Sequence, residues 1–100
     1  MREVKHYNVG EYRMELIIPG HKLDGTLVNN LTIYNDVKKS VWNIEELLKA
    51  YSDENGYKYF NELYFDIHIV ADNKIYCVGF NKHCEIDLNT MRIVKTIINR

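Results

Sequence analysis

The feature that most constrains this chain is the shortness of the connections in its C-terminal part. Apolar, alternating runs at residues 63–71, 74–80, 84–88 and 92–98 are joined by Asp72-Asn73, Asn81-Lys82-His83 and Asn89-Thr90-Met91. A parallel crossover needs about a dozen residues or more, so connections this short join antiparallel neighbours. The region therefore reads as a four-stranded meander. Upstream, residues 4–9, 12–18 and 26–34 read as three further strands. A turn at Gly10 separates the first two, and the loop Pro19-Gly20-His21-Lys22-Leu23-Asp24-Gly25 separates the second from the third.

Between the two strand groups lies one helix, expected over residues 44–52. Asn43 is the expected N-cap, with Glu46 three residues on as its capping-box partner and Glu45 adding charge that suits a helix N-terminus. Trp42 and Leu47 have the spacing of a hydrophobic staple. Ile44, Leu47, Leu48 and Tyr51 fall on one apolar face, and Ser52-Asp53-Glu54-Asn55-Gly56 supplies the stop. The order β-β-β-α-β-β-β-β defines an α+β domain spanning residues 1–100, an antiparallel sheet with one short helix packed on it.

The meander's pleat predicts its register. A two-residue turn at Asp72-Asn73 sets Ile69 opposite Tyr76, Ile67 opposite Val78 and Phe65 opposite Phe80. A three-residue loop at 81–83 then sets Phe80 opposite Cys84, Val78 opposite Ile86 and Tyr76 opposite Leu88, all apolar, which predicts the buried face. Val94, Thr96 and Ile98 continue it if the last loop also has three residues, although Met91 then stands where glycine is usual at such a bulge. The outward face then carries Tyr64, Asp66, His68 and Val70, next Ile75, Cys77 and Gly79, then Glu85 and Asp87, then Ile93, Lys95 and Ile97. Two rows result: His68, Cys77, Asp87, and Asp66, Gly79, Glu85, Lys95.

The first row holds the residue types of a thiol nucleophile, a base and an acid. Its order is wrong for catalysis, because the base must lie between thiol and carboxylate and here the thiol lies between them. A mid-strand thiol also lacks the turn or helix N-terminus that activates a nucleophile. A metal reading of His68, Cys77, His83 and Cys84 meets a similar objection. The cysteines are seven apart rather than in a Cys-x-x-Cys pair, and this register sends them to opposite faces. The scattered glycines build no phosphate loop, so no cofactor is expected.

Composition narrows the function classes further. Eight Tyr, eleven Asn and eleven Ile, against two Ala and one Pro, favour strands over long helices. Thirteen basic and fourteen acidic side chains give a net charge of -1, without the basic excess of a nucleic-acid binder. No apolar run reaches bilayer length, and Met1-Arg2-Glu3-Val4-Lys5-His6 is no signal peptide, so a cytoplasmic protein with two reduced cysteines is expected. What remains is an acidic and tyrosine-rich surface: Asp53, Glu54, Tyr57, Tyr59, Glu62, Tyr64, Asp66, His68, Glu85 and Asp87. Exposed tyrosines among carboxylates suit an interface with a basic protein.

The segments Ser40-Val41-Trp42-Asn43-Ile44-Glu45-Glu46-Leu47-Leu48, Ile75-Tyr76-Cys77-Val78-Gly79-Phe80-Asn81 and Cys84-Glu85-Ile86-Asp87-Leu88 resemble small bacterial immunity proteins, encoded beside polymorphic or contact-dependent toxins. The resemblance lies in size, Tyr and Asn richness and the order helix then meander, and it covers the C-terminal part of the chain. It implies a cytosolic, non-enzymatic inhibitor that binds one toxin domain, often a nuclease. A phage-encoded inhibitor of a host defence protein has the same appearance in sequence. The rival from another class is a small enzyme using His68, Cys77 and Asp87.

Overall fold

The computed structural model describes residues 3–18, 29–59 and 62–98. The expected loop at 19–25 and the first part of the expected third strand, 26–28, lie outside the described residues. The chain forms two four-stranded antiparallel sheets with one helix between them in sequence. Sheet A takes β1 (Glu3–Val9), β2 (Tyr12–Ile18), β3 (Leu31–Asn35) and β4 (Ser40–Asn43) in chain order. Helix α1 (Ile44–Asn55) follows. Sheet B takes β5 (Tyr64–Ala71), β6 (Lys74–Gly79), β7 (Lys82–Asp87) and β8 (Arg92–Ile98), also in chain order.

The α+β class and the C-terminal meander are as the sequence predicts. The expectation of three N-terminal strands is corrected to four. The extra strand, β4, returns from β3 through a turn that contains neither Gly nor Pro. Asn35 makes that turn instead: its Oδ1 accepts the Lys38 N–H at 3.0 Å, and Lys39 takes a left-handed φ of 59°. Helix α1 starts where its local signals place it. Asn43 Oδ1 accepts the Glu46 N–H at 3.0 Å, and Glu46 Oε1 accepts the Asn43 N–H at 3.3 Å. It runs to Asn55, three residues beyond the expected end, and Gly56 closes it at φ 68°.

The register of sheet B differs from expectation, and the difference decides which side chains are buried. Ile75 pairs with Ile86 and Cys77 with Cys84, so the β6–β7 turn is Phe80-Asn81 rather than 81–83. On the other side of β6, Ile67 pairs with Cys77, His68 with Tyr76 and Ile69 with Ile75, because the ladder slips at Phe65 and again at Val70. The buried face of β6 is therefore Ile75, Cys77 and Gly79, and the expected Tyr76 and Val78 lie on the other side. Strand β7 buries Cys84 and Ile86 as predicted, with Leu88 just beyond it. A slip at Val94 buries Ile93 and leaves Val94 and Ile98 exposed, against expectation. Met91 takes a left-handed φ of 51° where glycine is usual.

One core cluster draws from both sheets and the helix. Sheet A contributes Met14, Leu16, Leu31 and Ile33; sheet B contributes Ile67, Ile75, Cys77, Cys84, Ile86 and Ile93; α1 contributes Ile44, Leu47 and Leu48. The sheets meet where β2 packs on β5, and α1 packs on β3, β4 and β8. At the β2–β5 seam sits Asn30, 3% exposed. Its Nδ2 donates to Ile17 O at 2.9 Å and Tyr64 O at 2.6 Å, while its Oδ1 accepts the Tyr64 N–H at 3.1 Å. The side-chain amide thus pairs with Tyr64 as a neighbouring strand residue would, and satisfies an edge that is otherwise buried without partners.

Strand β1 adds two further contacts across the seam: Lys5 Nζ donates to Phe65 O at 3.5 Å, and Tyr7 OH donates to Asp66 Oδ1 at 3.0 Å. Burial first, then the Asp66 hydrogen bond and charge, push the Tyr7 hydroxyl up from 10.0 to about 12. The folded state therefore favours neutral Tyr7. That contribution is fully present below pH 10 and is lost as pH rises through about 12. Denaturant unfolding across this window should show stability falling with pH, and Tyr7→Phe should flatten the fall; an unchanged slope in the variant would contradict the contact.

Candidate functional site

The ten residues expected to share one acidic, tyrosine-rich surface fall into three places. Asp53, Glu54 and Tyr57 are exposed at the C-terminal end of α1, and Tyr59 follows them half-buried. Asp66, His68, Glu85 and Asp87 belong to the side of sheet B that faces away from the core. Glu62 and Tyr64 are buried instead, at 5% and 1% exposure. The placement of Tyr64 on the outward face is corrected by the slip at Phe65, which turns its ring into the core.

The outward face of sheet B is balanced in charge rather than acidic. His68 lies opposite Tyr76, Tyr76 opposite Glu85, and Glu85 opposite Lys95; Asp87 lies opposite Lys74 on one side and Arg92 on the other. The expected row His68, Cys77, Asp87 does not exist, because Cys77 is buried against Cys84. Asp66 is held by several donors. Its Oδ1 accepts from Tyr7 OH and from the Ile67 N–H at 2.9 Å, and its Oδ2 lies 3.6 Å from His68 Nε2. Burial opposes its ionisation, but the Ile67 N–H and the Tyr7 hydroxyl outweigh that and hold its carboxyl below the ordinary value. Among the described residues no group of three His, Cys, Asp or Glu is gathered as a metal site requires. His83 is engaged elsewhere: its Nδ1 accepts the Gly79 N–H at 3.1 Å, and its ring lies 5.5 Å from that of Tyr76.

A groove of about 480 Å³ opens beside the end of α1. Leu48, Tyr51, Ser52 and Gly56 form one side, and Tyr57, Lys58, Glu62, Tyr64, Lys82, Thr96 and Ile98 complete the lining. Its size falls within the roughly 300–1,000 Å³ of small-ligand and side-chain pockets. The Tyr57 ring, 59% exposed, sits 5.9 Å from that of Tyr51. Tyr59 lies beneath the Lys49 ammonium, 5.5 Å from the ring centroid, and Lys49 also pairs with Glu45 at 2.7 Å. Burial, then the nearby Glu45 charge, raises the Tyr59 hydroxyl above its usual value. Arg92 of β8 pairs with Glu54 and so joins the helix end to the sheet edge.

Glu62 holds one wall of this groove in place. Its Oε2 accepts the Asn81 N–H at 3.1 Å and the Lys82 N–H at 2.7 Å, and its Oε1 accepts the Leu63 N–H at 2.9 Å. A carboxylate with three backbone donors suits a buried turn well. Gly79 makes room for it. A β-carbon there would press into the Lys82 carbonyl and stand 2.7 Å from Glu62 Cγ and 2.9 Å from Cδ. Neither role is visible in sequence, since nothing local links Glu62 to a turn nineteen residues away.

Comparison with models of known protein families, with curated proteins and with solved structures finds no match. No helix among the described residues is long and apolar enough to cross a membrane.

Removing the clamp should destabilise the fold through the hairpin. Glu62→Ala leaves three backbone N–H groups without their acceptor, a loss of about 2–3 kcal/mol in urea unfolding. Gly79→Ala should cost at least as much, through steric conflict rather than backbone conformation. A loss under about 0.5 kcal/mol for either variant, the range of an ordinary surface substitution, would contradict the described turn.

Proposed function

We propose that this protein is a non-enzymatic, protein-binding inhibitor of the immunity type, which holds one basic partner domain at the C-terminal end of α1. The observation that carries the reading is the chemistry of that end. Asp53 and Glu54 stand in the last helical turn, where the helix dipole is already negative and a basic residue would be the stabilising choice. The helix gains nothing locally from two carboxylates there. Arg92 compensates Glu54, Asp53 stays exposed in the last turn, and Tyr57 just beyond the helix lines the groove.

A cationic partner surface fits this arrangement. An arginine or lysine placed over the Tyr57 ring gains cation–π attraction, and Asp53 adds an exposed carboxylate at the same end of the helix. Tyrosine supplies contact area with little conformational entropy to lose, and the carboxylates speed encounter with a positively charged cleft. A nuclease domain carries such a cleft because its substrate is a polyanion. Under this reading the protein acts in the cytoplasm and covers the partner's substrate site. Burial of Cys77 within the core counts against the enzyme alternative.

The test is co-production with the toxin domain of a gene that neighbours its own, or with a panel of basic nuclease toxin domains if none does, scored by cell growth and by titration calorimetry. The account expects protection and a stable complex, with Asp53→Lys and Tyr57→Ala each weakening binding about tenfold or more, or ~1.4 kcal/mol. It also expects association to slow as salt is raised. No protection and no complex would overturn the reading.

A further inference from the structure

The two cysteines face one another across β6 and β7, and both are completely buried on the core side of sheet B. Their pairing type follows from the ladder. The Leu88 N–H donates to Asn73 O at 2.7 Å, which marks the 73/88 position as hydrogen-bonded. Steps of two along the ladder lead to Ile75 with Ile86 and then to Cys77 with Cys84. At such a pair the α-carbons stand about 5.5 Å apart, inside the roughly 4.4–6.8 Å that a disulfide spans. At a hydrogen-bonded pair the β-carbons stand toward the far end of the roughly 4.5–5.5 Å range, so closing the bond asks for a movement of about 1–2 Å.

We propose that Cys77 and Cys84 form a reversible, intramolecular cross-strand disulfide, with a low-molecular-weight disulfide such as oxidised glutathione as the oxidant. One protein thiol loses its proton to solvent and its sulfur attacks a sulfur of the glutathione disulfide. That S–S bond breaks, a mixed disulfide forms and one glutathione leaves as thiolate. The second cysteine, deprotonated in turn, attacks the protein sulfur of the mixed disulfide. The Cys77 Sγ–Cys84 Sγ bond forms and the second glutathione leaves. Two protein thiols are oxidised, one glutathione disulfide is reduced to two thiols, and those thiols carry the two protons.

The surroundings favour a slow, gated reaction. Hydrogen bonding with the Cys84 thiol, and then burial, push the Cys77 thiol well above its usual value, so little thiolate exists while the core is closed. Access to Cys84 is through the groove. Thr96, its direct partner on β8, and Tyr64, whose hydroxyl is raised by burial and then by the Cys84 thiol, both line the groove wall. Under this proposal, oxidation requires those two side chains to move aside. The disulfide then ties together the two strands whose turn Glu62 clamps.

Incubation of the intact protein with oxidised glutathione at neutral pH, followed by alkylation and mass spectrometry, tests this. The expected product is monomeric, two hydrogens lighter than the reduced chain, unalkylated, linked between the peptides bearing Cys77 and Cys84, and restored by reduced glutathione. Cys77→Ala and Cys84→Ala, each measured the same way, should yield only a single glutathione adduct or an alkylated thiol. Two glutathione adducts per wild-type chain, disulfide-linked dimers, or two alkylated thiols after prolonged exposure to excess oxidant would each overturn the proposal.

Discussion

The structure depends on the way two small sheets are joined, and that junction is the Asn30 side chain. Neither four-stranded sheet can bury its apolar face alone; each needs the other as its opposite wall. Bringing β5 against β2 buries the Tyr64 N–H and C=O, which are expensive to leave without partners. Asn30 supplies both complements from one planar amide, and its second Nδ2 hydrogen binds Ile17 O. Aspartate lacks the donor and leucine lacks both groups, so the position is specific to an amide of this length. Around it, Tyr7 and Lys5 reach from β1 to the start of β5 and reinforce the same seam.

With the seam fixed on one side, α1 closes the opposite side of the core by packing between β4 and β8. That position explains the candidate site. The helix buries Ile44, Leu47 and Leu48, and its C-terminal end, with Asp53, Glu54 and Tyr57, emerges beside the edge of sheet B. The groove is the space left where the helix end, the segment leading to β5 and the β7–β8 edge converge. Glu62 keeps that segment against the β6–β7 turn, so core packing and groove shape are coupled through one carboxylate.

The parts of the fold that were legible in sequence are those set by local chemistry. The capping box of Asn43 and Glu46, the glycine at 56 and the short β-connections each declare themselves within a few residues. Strand β4 was not legible because its turn rests on an asparagine side chain and a left-handed lysine instead of glycine or proline. The register failed for a related reason. Slips at Phe65, Val70 and Val94 shift the pleat by one residue each time, and each slip exchanges inside for outside. The site suffered most: Glu62 and Tyr64 are polar-capable residues whose burial is decided by partners far along the chain. Asp53, Glu54 and Tyr57 were legible because a helix end exposes whatever it carries.

The most direct measurement is the unfolding free energy of Asn30→Ala in urea, compared with the wild-type protein. The variant leaves Tyr64 N–H, Tyr64 C=O and Ile17 C=O without the partner described here. The expected loss is about 3 kcal/mol, since each buried group without a partner costs about 1–3 kcal/mol and part of that is recovered by relaxation. A loss below about 0.5 kcal/mol, no larger than that of an ordinary surface substitution, would contradict it.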